Sequence, residues 1–240
     1  MRRKTHLFIR KSHRYLGILI GIQFFFWTLG GLYFSWSNLD AIHGDHFRKP
    51  KVTPPAIDAA ILANMVNTTL KVQQLETRKF NGKLYLWVNK QQLIDPITWT
   101  DKGPITKDEA VAIAKENVLD AYSIDSVSYI TETSKHSEYR GRPLPAWVIH
   151  YAGNDHLKGY ISTKDGRFHM ARHNDWRVFD FLWMLHTMDY EGRDNINNWL
   201  LRFFSVLGML TIISGFALYF YTSKTFRSKT RNSKKLQKAF

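Results

Sequence analysis

Ten histidines and no cysteine define the chemistry open to this 240-residue chain. Without thiols it can form no disulfide, no thiolate zinc or iron–sulfur site and no covalent c-type haem attachment. A metal or haem must be held by His, Met, Tyr or carboxylate. Two short segments have suitable spacing: Ile42-His43-Gly44-Asp45-His46 offers two imidazoles and a carboxylate, and His186 lies three residues before Asp189. Neutral imidazoles from separate helices at one depth could clamp the iron of a b-type haem in bis-histidine fashion. Alternatively they could hold a bare metal ion, iron or copper, using His43, His46 and His186 with Asp45 or Asp189. The competing explanation is hydrogen bonding to carbonyls at a membrane edge. His150 reads as a satisfied residue on a strand, and His136, His156, His169 and His173 fall in loop signals with no role assigned. No nucleophile elbow, phosphate-binding glycine loop or H-E-x-x-H helix is present, so an ordinary soluble-enzyme reading has no residue to rest on.

The elements that must position these groups begin with two apolar runs. Tyr15 to Trp36 contains no charged side chain, about 22 residues or about 33 Å of helix, enough to cross a bilayer. Trp199 to Tyr221 is interrupted only by Arg202, close enough to one end to snorkel. The first run exceeds the h-region of a signal peptide and lacks a small-x-small cleavage site, so it is expected to remain as an anchor. His13, Gly17, Gly21, Phe24, Thr28, Gly31 and Ser35 recur at helical steps and share one face. That face is either a helix-packing groove or a channel beside a flat cofactor with His13 as a ligand. If the helix continues past Trp36, His46 stands three turns beyond Ser35 on the same face. A second stripe, Trp176, Phe179, Trp183, His186 and Tyr190, forms an aromatic face suited to the headgroup level.

The net charge of +14 is located at the ends. Residues 1–14 carry six Lys or Arg, residues 222–240 carry seven, and neither flank has an acid. Basic flanks around a balanced middle are the positive-inside pattern, which predicts both termini in the cytoplasm and residues 40–195 outside. The tails then face anionic lipid, and nucleic acid is rejected as a partner.

Between the anchors the pattern shifts to short elements. Ile57 to Val66 reads as a helix, followed by strands at Val72–Phe80, Leu84–Val88 and Leu93–Trp99 with Asn81-Gly82 as a hairpin turn. The order then returns. Thr106 with Glu109 opens a helix at Lys107–Asp120 with a capping box, and strands follow at Ser126–Thr133, Ala146–Tyr151 and Lys158–Thr163 before an Asp165-Gly166 turn. Two helix-then-three-strand units in tandem are a repeat.

The second unit, with Ile105-Thr106-Lys107-Asp108-Glu109-Ala110, Ala146-Trp147-Val148-Ile149-His150-Tyr151 and Gly159-Tyr160-Ile161-Ser162…Asp165-Gly166-Arg167, resembles a PepSY domain. The flanks resemble the PepSY-associated transmembrane family: His13-Arg14-Tyr15-Leu16-Gly17, then Leu185-His186…Gly192-Arg193 before an anchor containing Ser214-Gly215. The expected fold is therefore membrane α+β, two transmembrane helices flanking an exported domain of two PepSY-like helix-plus-antiparallel-sheet repeats. Its expected parts are a basic tail (1–14), a first transmembrane helix with an outer extension (15–46), PepSY-like units at 50–101 and 104–175, an interfacial aromatic helix (176–193), a second transmembrane helix (195–221) and a basic tail (222–240). The resemblance implies a bacterial inner-membrane component of electron transfer or ferric-siderophore reduction, a siderophore or ferric reductase-like oxidoreductase. It would use His-ligated haem b or a metal near the periplasmic surface. His186 would be paired with His46 or His43, and a homodimer or other membrane subunits would complete the site. The alternative is a cofactor-free anchored module that contacts or regulates an exported peptidase or transporter.

Overall fold

A computed structural model describes residues 2–50 (2–6 by their backbone), 53, 55–59, 61, 71–153 and 155–223. The expected basic tail at 222–240, from residue 224 on, and most of the expected helix at 57–66 lie outside the described residues. The chain divides into two units. One holds the terminal segments up to Trp36 and from Phe181, and the other spans Ser37–Asp180.

The first unit is built on α1 (Arg2–Trp36) and α5 (Trp199–Thr222). Within α1 the apolar stretch suited to a bilayer is Leu7–Trp36, and all of α5 qualifies. Only 11% and 6% of their most apolar windows are buried, which sets them apart from core helices of a water-soluble protein. Their outward faces carry Ile18, Ile22, Phe25, Phe203, Ile213 and Phe216, side chains that water would oppose and lipid would not. α1 and α5 pack against each other in antiparallel fashion. Phe24 lies against Gly208 near the middle, and His13 against Gly215 toward the other end. Ile20 is sealed within the pair.

The second unit is α+β. Strands β1 (Leu75–Phe80), β2 (Lys83–Val88) and β3 (Gln92–Ile94) form one antiparallel sheet. Strands β4 (Ile124–Ile130), β5 (Ala146–Tyr151), β6 (Lys158–Ser162) and β7 (Phe168–Arg172) form a second, in sequence order. Between the sheets in sequence comes α3 (Lys107–Asn117), opened by the reciprocal Thr106–Glu109 capping box. Alternation on β5 covers both of its faces: Ile149 and Tyr151 join Ala110, Ile113 and Ala114 of α3, while Ala146 and Val148 pack with Tyr139, Tyr160 and Met170. Asn81 and Gly82 both take positive φ, as a two-residue hairpin of type I′ demands.

Four expectations need correction. First, the helix does not run past Trp36. Asn38 adopts an extended conformation and its side chain accepts from the N–H groups of Asp40 and Ala41, starting a separate short helix α2 (Leu39–Ile42). His46 therefore does not continue the face of Ser35; it sits on a 3-10 turn, Asp45–Phe47. Second, the second sheet has an unforeseen fourth strand, β7. Third, the run Leu93–Trp99 ends as a strand at Ile94, because Asp95 accepts from Ile97 N–H and Thr98 N–H and turns the chain. Fourth, the aromatic stripe ends early, since α4 (Asn174–Thr187) stops before Tyr190 and Met188 has positive φ.

Candidate functional site

Of the four histidines expected to hold a cofactor, His13 and His186 belong to the transmembrane unit, while His43 and His46 belong to the α+β unit. Each environment is built differently.

His186 lies on the last turns of α4 within an aromatic cage. Its ring stacks near-parallel to Trp183 at 6.5 Å between centroids and meets Phe34 edge-on at 5.6 Å. Trp27 Nε1–H donates to the His186 carbonyl at 2.9 Å, which ties the end of α4 to α1. A Cβ at Gly30 would stand 3.6 Å from His186 Nδ1, an ordinary contact, so the imidazole packs directly against α1 at that position. His186 Nδ1 is buried without a hydrogen-bond partner. Such an atom is costly to leave bare, and Nδ1 is buried on the side of the ring that packs against α1 at Gly30. A ligand would therefore meet Nε2. The α1 face toward this cage is Gln23, Trp27, Gly30 and Phe34, at i, i+4, i+7 and i+11. Gln23 Nε2 is also buried and unpartnered. Sequence reasoning had chosen a neighbouring stripe and missed this one. The signal was present in Gln23, the lone amide in an uncharged 22-residue run.

The expected small-residue face divides. His13 and Phe24 meet α5, whereas Gly17, Gly21 and Gly31 have open space where a Cβ would be. His13 Nδ1 is 2.8 Å from Ser214 Oγ, and that hydroxyl donates to the Thr211 carbonyl at 2.8 Å. In the tautomer whose Nδ1–H donates to Ser214, Nε2 keeps its lone pair.

Asp189 follows α4 and shapes the loop to α5. Its carboxylate accepts from Asn195 N–H at 2.8 Å and Gly192 N–H at 3.2 Å. Burial pushes its pKa up, but these backbone donors prevail and hold it below the usual carboxylate range. Asn198 finishes the loop, capping α5 through Leu201 N–H and donating to the Thr187 carbonyl.

In the α+β unit His43 is exposed at the end of α2. His46 is exposed too, but its ring stands 3.9 Å from Phe47 and 5.4 Å from His173. His173, to which sequence reasoning gave no role, is buried, and its Nε2–H lies between the carbonyls of Ala41 and Ile42 at 3.0 and 3.2 Å. Asp45 is half exposed and 3.9 Å from Arg48. The same segment joins the end of α3: Lys49 N–H donates to Asn117 O and Leu119 N–H to Phe47 O. His150 is satisfied by Ser128 at 2.9 Å, as a sheet residue should be. Among the described residues no group of three or more His, Asp or Glu side chains stands close enough to hold a metal ion.

The family model described as the PepSY-associated TM region matches residues 1–222. The chain belongs to that family. No curated protein and no solved structure matches it. Membership together with two exposed apolar helices makes this member of the PepSY-associated transmembrane family a membrane protein, with an α+β unit carried between its two apolar helices.

Proposed function

We propose that the chain is an inner-membrane component of an electron-transfer or ferric-siderophore reduction system that carries haem b near the periplasmic surface. The observation that supports this reading is the cage around His186. An imidazole is held between Trp183 and Phe34 and packed on α1 at Gly30, with its Nδ1 edge buried and Nε2 as the nitrogen left for iron. Flat aromatic and apolar walls suit a porphyrin, and bound haem would supply one-electron chemistry. The second imidazole would come from a histidine of a second copy of the chain. A bare metal ion has less support, because Asp189 gives its oxygens to backbone N–H groups and Asp45 stays exposed.

The test is colour. Protein purified from cells supplied with iron and a haem precursor is expected to show a Soret band that is lost in His186→Ala. A colourless protein that also lacks bound metal would overturn the reading and leave the cofactor-free anchored module, whose contact with an exported peptidase or transporter would then be sought.

A further inference from the structure

Beside His13 the paired helices form an open groove of about 520 Å³ lined by His13, Thr211, Ile212, Gly215, Phe216 and Tyr219. Its walls are almost wholly apolar, and both contributing helices are candidate membrane spans, so its occupant must be soluble in lipid. One feature does not suit a lipid tail. His13 Nδ1 shares a hydrogen bond with the Ser214 hydroxyl, which also reaches the Thr211 carbonyl; in the tautomer whose Nδ1–H donates to Ser214, Nε2 is left as an acceptor with no partner among the described residues. A Cβ at Gly215 would come within 3.2 Å of His13 Cε1, so the glycine is what lets the ring lie against α5 at the groove. An acyl chain offers no hydrogen-bond donor to such a nitrogen; a phenolic O–H is a strong one, and a flat ring can lie along Phe216 and Tyr219.

We infer that this groove binds a membrane quinol, its ring hydroxyl donating to His13 Nε2 and its ring packed on Gly215, Phe216 and Tyr219. The inference deepens the proposed function by naming the chemical class of the electron donor, and binding itself does not depend on haem being present. His13 and Gly30 are separated by about 25 Å of helix rise, so the quinol groove and the His186 cage occupy opposite ends of α1.

The experiment uses the full chain in phosphatidylcholine nanodiscs, photolabelled with a short-chain azidobenzoquinol and mapped by mass spectrometry. Labelling of residues 209–219 is expected, suppressed by excess decylbenzoquinol. It should fall at least fivefold in His13→Phe, which keeps the ring but loses the acceptor, and in Gly215→Val, which fills the groove. His13→Gln, whose amide oxygen can accept, should restore part of it, which separates loss of the acceptor from loss of folding. Labelling that is unchanged in His13→Phe, or that excess phospholipid suppresses as well as quinol does, overturns the inference. Loss of the Soret band in His13→Phe would also overturn it, since His13 would then be an iron ligand. A colourless wild type with intact, His13-dependent labelling would defeat the haem reading alone.

Discussion

At the scale of single residues, Glu138 is a well-connected charge of the α+β unit. It accepts from Arg177 Nε at 2.6 Å and from Tyr160 Oη at 2.8 Å, and Tyr160 in turn stacks on the fully buried Tyr139. Burial pushes the Glu138 carboxyl up, but Arg177 and Tyr160 outweigh it and hold the pKa below the ordinary glutamate range. A carboxyl whose pKa is lowered by folding contributes stability above its unfolded pKa and loses that contribution as pH falls through the lowered folded value. Glu138→Gln is therefore expected to destabilise the unit by about 2 kcal/mol at neutral pH, the usual worth of a hydrogen bond to a charged group. The gap to wild type should close on acidification. Urea unfolding followed by pulse proteolysis at pH 7 and at pH 3 measures it, and an equal gap at both would show that the ion pair is not the cause. The histidines teach a parallel lesson. His46 and His173 are 127 positions apart, and their ring contact arises from folding within the α+β unit.

At the scale of elements, close approaches matter more than propensity. Gly166 turns the chain from β6 to β7 at φ +60°, and a Cβ there would fall 2.9 Å from Phe80 and 3.1 Å from Ile105. Both an unfavourable backbone and a clash follow from Gly166→Ala, and the expected cost is on the order of 2–3 kcal/mol. Thr106→Ala, which removes only the N-cap of α3, should cost about 1 kcal/mol. The two variants compared in one denaturation series would rank in that order; a reversed ranking would mean that Phe80 and Ile105 yield easily. The capping box was legible because its chemistry is local: Thr106 and Glu109 satisfy each other's backbone within four residues. The β7 strand was not, because Phe168 to Arg172 is short and paired only through β6.

At the scale of the whole molecule, the positive-inside pattern predicts both termini on the cytoplasmic side and the α+β unit outside. The chain's lack of cysteine makes this directly testable. Ser134→Cys, in the loop between β4 and β5, should react with a membrane-impermeant maleimide in intact spheroplasts. Ser12→Cys, in the basic N-terminal flank, should react only after lysis. The opposite pattern would remove the periplasmic haem from consideration. By itself the sequence determined the two spans, the charge asymmetry and the two successive antiparallel sheets, because apolar length, flanking charge and short-range turn chemistry are properties of contiguous residues. Tertiary structure decided which face of α1 meets His186, that Asn38 ends the helix before His43 and His46, and that His13 hydrogen-bonds Ser214. Those outcomes depend on partners 150 to 200 positions away, or on one side chain competing for the backbone, and neither is visible in a local pattern of residue types.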